Sequence, residues 1–120
     1  MIQAVIVSPE VTYAPEALSL ISDILPFVQR AIAEGIRFAG ERDVAIYRVA
    51  VTRFDSYEDP DWHEAVVTFH AVHPASLEAW SVFWEGLCQR IGDWEQLLPE
   101  PQKEFFFRSV SIQIDPVDHV

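Results

Sequence analysis

Residues 59 to 74, DPDWHEAVVTFHAVHP, hold His63, His70 and His73 together with Asp59, Asp61, Glu64 and Trp62. Imidazoles and carboxylates are the side chains that ligate divalent metals and move protons, so chemistry is sought here first. The interior of the stretch, EAVVTFHAV, is apolar and β-branched, which predicts a strand. Strand geometry then decides what the histidines can do together. Successive side chains leave opposite faces, so His63 and His70 point apart, and at about 3.4 Å per residue they stand roughly 24 Å from one another. His70 and His73 diverge where the strand gives way to Pro74 and a helix. His63 and His73 share a parity but are separated by roughly 34 Å of strand. The histidines are close in sequence and dispersed in space, and no metal site is expected within one subunit. His63 reads as a loop-end residue, His73 as a helix start and His119 as a tail residue.

The same alternation assigns faces. Ala65, Val67, Phe69 and Ala71 point to a core, and Glu64, Val66, Thr68, His70 and Val72 point away from it. A hairpin with the preceding strand pairs Ala45, Tyr47, Val49 and Val51 on the core side and sets Arg48, Ala50 and Thr52 beside His70, Thr68 and Val66 on the other. His70, opposite Arg48, is the candidate ligand- or partner-contacting residue, with Tyr47 and Trp62 as possible neighbours. No catalytic residue is assigned. The acids lie mainly in loops and on exposed helix faces, no Gly-rich phosphate loop is present, and no serine sits in a G-x-S-x-G turn. No cofactor is implied.

The elements that must carry these residues follow from periodicity and punctuation. Residues 2 to 8, IQAVIVS, read as a strand, and PEVTYAPE as a turn leading into a helix at Pro15. Apolar residues from Ala17 to Ala39 recur every three or four positions, predicting a helix to about Gly40 that kinks or divides at Pro26, with Ser22 or Asp23 as a cap. Residues 44 to 54 and 63 to 72 are strands joined by a long acidic loop. A second helix starts at His73-Pro74 and carries the stripe Leu77, Trp80, Phe83, Trp84, Leu87, Cys88 and Ile91, with Gly92 at its end. Residues 105 to 114, FFFRSVSIQI, read as the last strand. The order β-α-β-β-α-β predicts a single domain over 1–120 of the α+β class, a ferredoxin-like sandwich with a four-stranded antiparallel sheet and two helices on one face.

In that arrangement the last strand turns Val110, Ile112 and Ile114 inward and Ser109, Ser111 and Gln113 outward. The open face would then carry Val44, Ile46, Val66, Phe105 and Phe107, apolar enough to mark an interface.

Charge narrows the partners. Nineteen acids against eight bases give a net charge of −11, which repels nucleic-acid backbones and anionic membranes. Asp55, Glu58, Asp59, Asp61 and Glu64 fall within ten residues that contain no Lys or Arg, a solvated loop or a contact for a basic partner. No apolar run approaches the roughly 20 residues of a membrane helix, and no signal peptide is read at the start, so a cytoplasmic location is expected. The lone Cys88 excludes an intrachain disulfide and reads as a buried structural thiol.

The stretch DPDWHEAVVTFHAV, the aromatic-rich helix after it and the terminal SVSIQI strand resemble uncharacterised small prokaryotic proteins of ferredoxin-like type, and the resemblance implies no activity. In architecture the expected domain also resembles dimeric α/β-barrel proteins, some of them small monooxygenases. Two functions are therefore expected to compete. One is a non-enzymatic interaction module, a homodimer or the acidic partner of a basic protein. The other is a dimeric-barrel ligand-binding protein or enzyme whose pocket uses His70, Arg48 and Tyr47 or Trp62.

Overall fold

A computed structural model describes residues 9–72 and 76–117. The strand expected at 2 to 8, His73, Pro74 and His119 lie outside the described residues. Strand β1 is Glu10–Tyr13, within the segment read as a turn. Helix α1, Pro15–Ile21, follows, and a single 3-10 turn at Ser22–Ile24 separates it from α2, Leu25–Glu41. Pro26 thus sits in the first turn of α2, where its missing N–H has no intrahelical acceptor to lose. Neither Ser22 nor Asp23 caps α2: the position before it is Ile24, with no side-chain hydrogen bond. Strands β2, Ile46–Asp55, and β3, His63–Val72, form the expected hairpin. Helix α3, Leu77–Glu95, is capped by Ser76, whose Oγ accepts from the Ala79 N–H at 3.1 Å.

The fold departs from the ferredoxin-like expectation in two ways. Residues 105 to 109 are helical, because α4 spans Glu100–Ser109 and β4 begins only at Val110, running Val110–Val117. Strand propensity in FFFRS yields to packing: Pro101 sits in the first turn, Glu100 and Arg108 suit the two ends of the helix dipole, and Phe106 meets Trp94 edge-on at 5.5 Å. The sheet is also mixed. Its order is β1-β2-β3-β4, with β1 parallel to β2, β3 parallel to β4 and only the central β2/β3 pair antiparallel. A ferredoxin-like sheet inserts an antiparallel strand between the two parallel strands of each crossover. Here each crossover returns its strand directly beside the one it left, and the sheet is not fully antiparallel. The element order alone permits both outcomes.

One apolar cluster lies between the sheet and the helices. Val49, Val51, Ala65, Val67, Phe69 and Ala71 are buried on the inner face of the central strands. Two glycines set the spacing of the layers. A Cβ on Gly35 would come within 2.5 Å of the Phe69 ring, so α2 reaches the sheet only without one. A Cβ on Gly86 would meet the Phe38 ring at 2.5 Å, and the same ring stacks on Phe83 at 5.6 Å. Arg90 of α3 then ties the helices together, donating to both carboxylate oxygens of Glu41 at 3.0 and 2.9 Å and to Glu34 at 3.2 Å. Among the described residues, no helix is long and apolar enough to cross a membrane.

Candidate functional site

The outer face of the sheet carries a group of polar residues aligned across all four described strands. Backbone pairing aligns Glu10 with Arg48, Arg48 with His70, and His70 with Asp115, so one residue from each strand falls on a single transverse row. The next row is Thr12, Ala50, Thr68 and Gln113, followed by Thr52, Val66 and Ser111. The pairing of Arg48 with His70 is the one that alternation predicts.

Side chains close the middle of the first row. Arg48 Nη2 donates to His70 Nε2 at 3.2 Å, and His70 Nδ1 donates to Asp115 Oδ2 at 2.9 Å. A guanidinium has only donors, so Nε2 must accept and the proton must reside on Nδ1. These partners assign a neutral imidazole of defined tautomer. His70 is only 9% exposed, although it lies on the outer face. Its burial comes from the neighbours beside it: Arg48, Asp115 and the Tyr47 ring, whose centroid is 6.1 Å away.

Tyr47 reaches that position through a bulge. The register shifts between Ile46 and Arg48, so Ile46 pairs with Ala71 and turns towards the core, and Tyr47 is the extra residue. This reverses the alternation-based assignment of Tyr47 inside and Ile46 outside. Trp62 does not join the row. It belongs to the hairpin end, where it meets Phe54 edge-on at 5.7 Å and donates from Nε1 to Glu64 at 3.4 Å.

The expected apolar interface is dispersed. Val44, Ile46 and Phe105 are partly buried against the core, Phe107 is exposed on α4, and only Val66, itself 9% exposed, lies on the outer face. The outer face is therefore mainly polar. The acidic loop is built from its own hydrogen bonds: Ser56 Oγ accepts from the Glu58 and Asp59 N–H groups, and Asp59 Oδ1 accepts from the Asp61 N–H. Asp55 is bound by Arg53 at 2.9 Å and His63 at 2.6 Å. These partners, Arg53 first, hold its carboxyl below the usual aspartate range. Glu58, Asp59 and Asp61 are exposed, while Glu64 is half-buried at the start of β3.

Cys88 is at the surface and not in the core. Partial desolvation pushes its thiol above the usual range, which disfavours the nucleophilic thiolate. Among the described residues, no group of three or more His, Cys, Asp or Glu side chains converges in a way that could hold a metal ion. Sequence reasoning missed Asp115, which falls one residue past the strand expected at 105 to 114. The signal that could have found it is the period-two alternation of β4 continued past Gln113. No family model matches the chain, and neither curated proteins nor solved structures give a match.

Proposed function

We propose that the protein is a non-enzymatic docking module that receives a basic partner protein on the outer face of its sheet. The observation that carries this reading is the Arg48–His70–Asp115 row on an otherwise mainly polar face. Both imidazole nitrogens are occupied by hydrogen bonds, so His70 offers no free lone pair for a general base or a metal. What the row offers instead is a rigid pattern of donors and acceptors between two outer carboxylates, Glu10 and Asp115. The dimeric-barrel alternative rested on an antiparallel ferredoxin-like sheet, and that analogy goes with the sheet.

Charge supports a partner of opposite sign. The chain carries −11, and the hairpin that adjoins the face brings Glu58, Asp59 and Asp61 to one end. A second copy would bring the same negative charge. Native mass spectrometry of the protein isolated from its host at low salt should find it with another, basic chain. Asp115→Lys and Thr68→Lys should each release that chain, as should salt near 1 M, where screening shortens to about 3 Å. A homodimer with no second chain, or a complex indifferent to both substitutions, contradicts the reading.

A further inference from the structure

Strand β4 ends the sheet on the side away from β1, so one edge of its backbone has no strand beside it among the described residues. A free edge presents a row of N–H and C=O groups to any extended chain that reaches it. Next to this edge, α3 overhangs a cleft. Ile112 and Ile114 turn towards the helices and Gln113 towards the outer face, yet all three line the cleft with Trp80 and Trp84, so it opens at the edge of the strand and not over either face. The cleft continues along α3. Trp84 is shared with a second depression that includes Cys88 and Gly92, and these two are shared with a third that reaches Ile91, Phe107 and again Ile112. The first two compartments measure about 330 and 450 Å³.

The charge of the lining selects the occupant. Glu85 and Glu95 contribute to it, and among the described residues no Lys or Arg does. Burial pushes the Glu95 carboxyl above the usual range, with Lys103 opposing. Lys103 is itself paired with Glu100 at 3.0 Å. A second copy docked edge to edge would bring together two linings that carry acids and, among the described residues, no Lys or Arg, and like charges placed across a strand pair are destabilising.

We propose that the β4 edge and the α3 cleft bind an extended segment of another protein in which apolar residues alternate with Lys or Arg. The segment adds as a fifth strand. Its apolar side chains enter the cleft beneath α3, and its cations lie on the outer side beside Asp115. This site shares Asp115 and Gln113 with the outer face of the preceding section, but its cleft and its backbone edge do not depend on that face binding a partner.

Gly92 provides a clean test, because a Cβ there meets nothing within 4 Å and a larger side chain would fill the cleft without displacing the core. The probe is a capped peptide of alternating Val and Lys, about nine residues long, the upper part of the usual strand range. It should change the tryptophan fluorescence saturably and slow amide exchange across residues 110 to 115. A Val/Glu peptide should do neither. Gly92→Leu should weaken binding at least about tenfold, since the space it fills is the space the apolar side chains need. Its melting temperature should not fall. Thr68→Lys, on the outer face, should leave peptide binding unchanged while testing the docking module independently. The proposal is overturned if neither peptide binds, if both bind equally, if Gly92→Leu binds normally, or if Thr68→Lys abolishes binding. Concentration-dependent protection of β4 in the free protein would also overturn it, in favour of a second copy.

Discussion

The two faces of β3 show how one strand serves two purposes. On the inner face Ala65, Val67, Phe69 and Ala71 are completely buried, and the fit is close enough that Gly35 has no room for a methyl group. On the outer face His70 is nearly as buried, but by lateral hydrogen bonds to the strands on either side. The inner face is held by volume and the outer by pairing. Volume tolerates little change, because protein interiors are packed like organic crystals. A pairing at the surface tolerates more, because water can replace a lost partner.

Substitutions can break that contrast, the largest first. Phe69→Ala should cost about 3–5 kcal/mol in denaturant unfolding, from lost burial and the cavity left between Gly35 and the sheet. Gly35→Ala should cost about 1–3 kcal/mol, since the added methyl must displace the ring of a fully buried side chain. On the other face, His70→Ala should cost only about 1 kcal/mol, because Asp115 is half exposed and Arg48 reaches solvent. A loss at His70 as large as at Phe69 would erase the distinction.

The smallest effect concerns pH and sharpens the contrast at the edge of the core. Burial raises the carboxyl of Glu95 in the fold, so the folded state binds its proton more tightly than the unfolded chain does. The associated stability is full below the unfolded glutamate range and is lost as pH rises through the folded value. Glu95→Gln should therefore give a small gain at neutral pH that vanishes near pH 4, read from paired urea melts. Asp55 has the opposite sign, its carboxyl being lowered, so the stability that it contributes is lost as pH falls.

The sequence carries the local part of this structure and leaves the global part open. Counting by twos sets Arg48 opposite His70, and the pairing is as expected because a slip of one residue would turn Phe69 and Val67 to the outside. The bulge at Tyr47 is not readable in this way, since the extra residue has no signature such as a glycine. Nor does the β-α-β-β-α-β order say which strands become neighbours. That depends on how α2 and α3 pack, through contacts such as Gly86 on Phe38, between residues far apart in the chain. The helix at FFFRS was hidden because phenylalanine favours strands when its surroundings are unknown. Asp115 belongs to the row only because β4 runs parallel to β3 and sets it opposite His70, a pairing between strands that the sequence order does not specify.

The outer-face reading depends on a fixed hydrogen-bonded chain from Arg48 through His70 to Asp115. Long-range ¹H–¹⁵N NMR of the histidine rings at mildly alkaline pH observes that chain directly. The account predicts that His70 is locked as the tautomer with its proton on Nδ1, and that replacing both Arg48 and Asp115 by Ala releases it to an exchanging mixture. An Nε2-protonated ring, or free exchange between the tautomers in the unaltered protein, would contradict the row and with it the proposed docking surface.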